Sequence, residues 1–260
     1  MPTVRERILD SSKKYSHPLR CIDSFFDSVP ISRSVKIKNN LICDQRYFAG
    51  IVDTGQKDFK KSLFSTCKSL QLSDSALKEI SSIKNINQFY VGAQRIEDKV
   101  DYRVYAGSYD HTRSFGDGVG IEWSESNRYR SRKYFGHRYK TRDLLSEDSL
   151  KVLSGDESLR NTVQDFLDVS SMGKDIVKLS NCVKCISDKR MSIDISLDFS
   201  GAKVNDSKRE ISEIFQYFGH SYDDYYRFFL PRVGGIGSYL TRCQWGTDTS
   251  GENFVNIYYM

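Results

Sequence analysis

Basic and tyrosine side chains recur at every second position in several short segments of this chain, and acids do the same in another. In DYRVY the set is Asp101, Arg103 and Tyr105; in VGIEWS it is Glu122 and Ser124; in RYRSRKY it is Arg130, Arg132 and Tyr134. VKLSNCVKC adds Lys178, Ser180 and Lys184, and NFVNIYY adds Asn256 and Tyr258. Arg46 and Phe48 share one face of DQRYFAG, as Lys36 and Lys38 do in SVKIK. The clearest alternation is MSIDISLDF, where Ser192, Asp194, Ser196 and Asp198 separate the apolar Met191, Ile193, Ile195, Leu197 and Phe199. Arg, Lys and Tyr converging in one cavity form an anion site that holds phosphate oxygens by charge-assisted bonds. Tyrosines and Trp245 can offer π faces to a carbocation, and acids on the opposite wall can orient or deprotonate a nucleophile. A salt-bridge network that only holds the interior together accounts for the same residues equally well.

Which way these faces point depends on the elements between them. A lone strand such as MSIDISLDF reads first as an outer strand with a wetted face. Helical spacing, however, recurs over residues 3–28, 57–83 and 143–169 and over SKREISEIFQYF, with Ser73 placed to cap a restart. Strand pairs fall between the helices: SVKIK with DQRYFAGIVD, QFYVGAQRI with VDYRVYAG, VGIEW with RYRSRKYFG, VKLSNCVKCIS with MSIDISLDF, and SYLTRCQW with NFVNIYYM. About ten antiparallel strands with recurring helices predict an α+β fold in which a closed barrel is ringed by helices. Helices outside require the polar face of each strand to line a lumen. The whole chain, residues 1–260, is expected to form one such domain.

Composition narrows the function. A net charge of +5 is too mild to indicate nucleic acid by itself, whereas 16 Tyr and 15 Phe mark an aromatic-rich chain. No apolar run reaches the ~20 residues of a membrane span, and MPTVRERILDSSKKY lacks a signal-peptide core. A cytosolic protein with free thiols is expected. Cys182 and Cys185 form a CxxC with no second pair, and residues three apart on a strand face opposite ways, so no metal site is read there. GVGIEW and VGGIGSY lack the P-loop and dinucleotide patterns. The four histidines stand with no Ser or Cys in a hydrolase arrangement.

The order of elements resembles the ABBA-fold aromatic prenyltransferases, in particular the cyanobactin peptide prenyltransferases. The resemblance is sharpest in SRSVKIKNNLICDQRYFAGIVDTGQKDFKKSLFSTC, weaker in YVGAQRIEDKVDYRVY and from VGIEW to RKYFG, and returns in ENFVNIYYM. It implies a barrel binding dimethylallyl or geranyl diphosphate, usually with Mg²⁺, and passing the prenyl group to a side chain of a commonly macrocyclic peptide. By the same resemblance, Arg46 and Arg103 would hold the diphosphate, with Tyr134 and Tyr258 as shielding or hydrogen-bonding tyrosines. Arg132 and Lys184 join the diphosphate set from their facing alone. Tyrosine-modifying relatives carry a Glu shortly before the K-I strand, where this chain has Ser32. The acceptor is therefore open: Glu122, Asp194 and Asp198 can grip a cationic or N–H group such as an arginine guanidinium. Glu122 and Asp194 are the catalytic candidates, and Asp198, Trp245 and Phe48 the acceptor-binding ones. Asp223-Asp224 continues as Tyr225-Tyr226-Arg227, not as DDxxD, so any Mg²⁺ would ride on the diphosphate.

Two competing readings remain. One is a prenyltransferase acting on small aromatic molecules. The other is a non-catalytic binding barrel, for which the interleaved RYRSRKYFGHRYKTR suggests nucleic acid. A lumen strand with a solvated exit explains that segment better. The expected partners are thus an isoprenoid diphosphate and a peptide, with neither nucleic acid nor membrane, and the chain is expected to act as a monomer.

Overall fold

A computed structural model describes residues 31–52, 59–83, 86–96, 99–107, 118–124, 129–137, 156–171, 182–187, 190–197, 200–226 and 238–260. The helix expected over 3–28 and the first part of that expected over 143–169 lie outside them. The chain divides into two compact units: Met1–Ser32 with Gln45–Tyr134, and Arg33–Asp44 with Phe135–Met260.

In the first unit, β2 (Leu41–Val52), β3 (Gln88–Ile96), β4 (Lys99–Gly107), β5 (Gly118–Ser124) and β6 (Tyr129–His137) pair antiparallel in that order. β3, β4 and β5 alternate as their sequences predict. Phe89, Val91 and Ala93 of β3, Tyr102, Val104 and Ala106 of β4, and Ile121 and Trp123 of β5 enter one apolar cluster. Two helices complete it, α1 (Phe59–Ser69) and α2 (Asp74–Ser81), through Leu63, Cys67, Ala76, Leu77 and Ile80 at helical spacing. Ser73 is the N-cap of α2, its hydroxyl accepting from the Ala76 amide. Trp123 ties sheet to helices by donating its indole N–H to the Leu70 carbonyl at 3.0 Å. Burial raises the Cys67 thiol to about 12, so this thiol stays protonated and packs as a small apolar group.

The second unit has the same logic. Here β1 (Ile31–Lys38), β10 (Asn253–Tyr259), β9 (Leu240–Thr247), β8 (Arg190–Ser196) and β7 (Cys182–Ser187) run antiparallel in that spatial order. The Asn39-Asn40 turn signal after β1 is used, and Asn40 takes a φ of 57°, which asparagine tolerates. Apolar positions Val35, Ile37, Ile193, Ile195, Val255 and Ile257 meet α3 (Glu157–Ser170) and α4 (Lys208–Tyr217) in a second cluster. Asp156 caps α3, accepting from the Leu159 amide at 3.1 Å and from the Tyr217 hydroxyl of α4. Burial, and then that bond to Asp156, raise the Tyr217 phenol to about 12. At the other end of α3, the hydroxyls of Ser170 and Ser207 meet at 2.9 Å, joining it to the turn before α4. No helix among the described residues is long and apolar enough to cross a membrane.

Candidate functional site

With the apolar positions of each sheet packed under helices, the opposite face must carry whatever chemistry the chain has. On the first unit the register sets that face in rows. Arg46 stands opposite Gln94, and Gln94 opposite Asp101. In the next row Phe48 is opposite Gly92, Gly92 opposite Arg103, and Arg103 opposite Glu122. A third row runs Gly50, Tyr90, Tyr105, Gly120. Charged groups therefore occupy one end of the face and rings the other.

Two partners of Arg103 meet on one nitrogen. Its Nη2 lies 2.5 Å from Glu122 Oε1 and also donates to Gln94 Oε1 at 3.1 Å. Both ionised side chains are mostly shielded, so the pair fixes the direction of the fork as well as contributing energy. Arg46, on the same face, is 7% exposed. Beside these cations Phe48 stacks on Tyr90 at 5.1 Å and 6°, and meets Tyr105 edge-on at 5.8 Å. Two glycines permit this packing. A β-carbon on Gly50 would fall 2.0 Å from the Tyr90 ring, and one on Gly92 would press on the Tyr47 carbonyl and the Phe48 ring at 3.1 and 3.2 Å. Cationic donors next to a cluster of π faces can bind an anion at one end and shelter an apolar or cationic chain at the other.

The second unit's polar face is a hydrogen-bonded layer. Asn256 donates to Gln244 Oε1 at 2.5 Å, Tyr258 donates to the same oxygen at 3.4 Å, and Gln244 donates to Ser192 Oγ at 3.2 Å. Arg242 Nε lies 3.4 Å from Asp194 Oδ1, with its guanidinium over the Tyr258 ring at 5.8 Å. Lys36 sits over the Phe254 ring at 4.5 Å. Asp194 and Tyr258, both expected on this face, are there. Arg242, Gln244 and Phe254 were missed, although Cys243 and Trp245 alternate with the first two in LTRCQW and show which face is which.

Trp245, expected at the acceptor site, is misplaced. Trp245 is fully buried in the apolar cluster, level with Ile193 and Val255, on the side away from Asp194 and Gln244. Its ring serves packing against helices because its neighbours Arg242 and Gln244, being polar, claim the other face. Lys184 is also out of step: Cys185, one residue on, stands opposite Ser192 in the ladder, so position 184 is not in phase with the Ser192–Asp194 face. The side chains of Lys184, Arg132 and Tyr134, and all of Asp198, lie outside the described residues. The backbone register puts Arg130 opposite Glu122, Arg132 opposite Gly120 and Tyr134 opposite Gly118, in phase with the polar face.

Among the described residues no three His, Cys, Asp or Glu side chains gather as a metal-binding group. Glu122 and Asp194 each face an arginine instead. Burial, and then the Asp194 carboxylate, push the Cys243 thiol far above its usual range, which makes it inert as a nucleophile.

No known family profile matches the sequence, and no curated protein matches it by sequence. The fold does match that of solved prenyltransferases. The chain is similar to the NotF prenyltransferase, with a TM-score of 0.53 and 9% identity over 89% of this chain and 80% of that one. NotF in complex with brevianamide F and DMSPP gives 0.55 and 10%, over 90% and 80%. AnaPT from Neosartorya fischeri gives 0.53 and 9%, over 89% and 78%. At such identities the likeness concerns the fold.

Proposed function

We propose that this protein is a prenyltransferase, moving a dimethylallyl or geranyl group from its diphosphate to a side chain of a peptide, typically macrocyclic. The observation that carries this reading is the first unit's polar face, where Arg46 and Arg103 stand one register step from the Phe48–Tyr90–Tyr105 rings. Transfer needs that juxtaposition: cations to accept the departing diphosphate and rings to shelter the prenyl group as the C–O bond breaks. The bonding electrons leave with the diphosphate, the acceptor atom forms the new bond to carbon, and its proton passes to a nearby base. Glu122 and Asp194 are the candidate bases. The acceptor residue stays open, an arginine guanidine nitrogen being one candidate beside tyrosine, since Ser32 stands where tyrosine-modifying relatives carry Glu.

A protein of this fold, NotF, has been solved with DMSPP and brevianamide F, which supports a prenyl-diphosphate co-substrate here. Mg²⁺ would travel on the diphosphate oxygens, since Glu122 and Asp194 are engaged with arginines and no metal-binding group gathers among the described residues. The expectation of one domain, a barrel of about ten strands around a polar lumen, is part of the same proposal. A second reading, a barrel that binds without catalysing, draws on the Arg103–Glu122 and Arg242–Asp194 pairs, which suit a purely structural network.

Mass spectrometry of cyclic peptides containing Tyr, Trp, Ser, His or Arg, incubated with either diphosphate and Mg²⁺, separates these readings. A gain of one prenyl unit is the expected result, and fragmentation names the acceptor. Diphosphate binding without any gain would turn the search to small aromatic acceptors. No binding at all would leave the second reading.

A further inference from the structure

Gln94 lies in β3 between two arginines. Across the ladder it stands opposite Arg46 on one side and Asp101 on the other, and its Oε1 accepts from Arg103 Nη2 at 3.1 Å. It is 5% exposed, so this bond is sheltered from water. Alternation puts it on the polar side of the sheet, since Val91 and Ala93 enter the helix-packed cluster. A guanidinium has donors only, so the carboxamide must meet it through oxygen.

The same nitrogen serves Glu122 Oε1, 2.5 Å away. Nη2 carries two hydrogens, both in the plane of the guanidinium. Acceptors from β3 and β5 at that one nitrogen therefore set the plane of the fork and its direction together. One of these acceptors is charged and the other is neutral. For holding an arginine a carboxylate would be the stronger partner, because it adds charge attraction to the hydrogen bond. Binding an anion sets the opposite requirement. In these rows the described cations Arg46 and Arg103 are already matched by Asp101 and Glu122. A third carboxylate at position 94, opposite Arg46 and bonded to Arg103, would leave the rows net negative and repel an anion.

We propose that Gln94 is a positioning residue for the donor diphosphate: it holds the Arg103 guanidinium in place without cancelling its charge. The inference rests on the prenyl-transfer reading, in which Arg103 is a diphosphate ligand. Gln94 acts through Arg103. Its carboxamide supplies the geometry of an acid and withholds the charge.

Titration with a dimethylallyl thiolodiphosphate and with inorganic pyrophosphate, with thermal melting alongside, tests this. Gln94→Met keeps the shape and drops the bond. It is expected to weaken thiolodiphosphate binding about tenfold and to leave the acceptor KM unchanged. Gln94→Glu keeps the bond and adds the charge. It is expected to weaken binding by at least as much while melting no lower than the wild type. Stability and donor affinity then move apart, which a merely structural glutamine would not produce. Exchanging the partners, Gln94→Glu with Glu122→Gln, restores the charge count, and donor affinity is expected to recover most of the loss. Donor affinity unchanged in both single variants would overturn the proposal, as would a double variant binding no better than Gln94→Glu. If the wild type binds neither probe, the prenyl-transfer reading fails and takes the role of Gln94 with it. Binding in the wild type that no variant alters would remove Gln94 alone.

Discussion

Arg103 and Glu122 face each other directly across β4 and β5, their charged groups 2.5 Å apart, with Gln94 bonded to the same guanidinium. A diphosphate ligand and a catalytic acid, expected as separate groups, are thus one ion pair. Their roles are coupled. Arg103→Ala is expected to lower kcat/KM by about two orders of magnitude or more, and Arg103→Lys to recover only part of it, because an ammonium lacks the planar fork. Glu122→Gln is expected to tighten diphosphate binding, by removing the competing negative charge, while slowing transfer. Donor titrations and single-turnover rates on both variants check this; equal losses of donor binding and rate in Glu122→Gln would deny the division of labour.

Gly50 lets the Tyr90 ring lie flat against β2 and stack on Phe48. In Gly50→Ala the added methyl occupies the place of ring carbons, so Tyr90 must rotate and the stack is lost. The expected result is a protein that folds with a loss of about 1–3 kcal/mol and transfers much more slowly. Transfer at the wild-type rate in a folded Gly50→Ala would remove the Phe48–Tyr90 stack from the site.

Trp245 is a packing residue, and its substitution should register in stability. Trp245→Ala is expected to cost about 3–5 kcal/mol. Trp245→Phe keeps most of the ring and discards an indole N–H that has no partner among the described residues, so it should cost much less. Acceptor KM in Trp245→Phe is expected to match the wild type, and a selective rise in KM would return Trp245 to the site.

Acid stability should depend on the turn between β9 and β10. Lys38 Nζ lies 2.7 Å from Glu252 and 3.2 Å from Asp248, and Asp248 also accepts from the Ser250 hydroxyl and amide. Burial alone would raise the Asp248 pKa, but the Ser250 bonds and Lys38 outweigh it and bring it down to about 2, from 3.8. The carboxylate's contribution is therefore complete above the unfolded value near 4 and is lost as pH falls toward 2. For so accessible a group it is on the order of 1 kcal/mol. Lys38 is raised above its ordinary value by the Glu252 bond, with burial opposing and Asp248 adding, so its share is full below about 10.5 and lost only at higher pH. Asp248→Asn should melt about 2–4 °C below the wild type at neutral pH, with the gap closing near pH 2. A constant gap would place the effect outside ionisation.

The faces of β3, β4 and β8 were legible from sequence, whereas those of Trp245 and Lys184 were not. Period two separates Ile193 and Ile195 from Ser192 and Asp194, and Val104 from Arg103 and Tyr105, because a pleated backbone has no other way to sort side chains. The Ser73 cap and the Asn39-Asn40 turn were legible too, since both use only neighbouring residues. Partnership was not. That Gln244 joins Ser192, 52 residues away, to Asn256 depends on which strands lie side by side and in what register. The same is true of Arg103 meeting Glu122. Alternation is a property of one strand and is written in its residues. Pairing is a property of two strands joined through the whole chain, and only tertiary structure decides it.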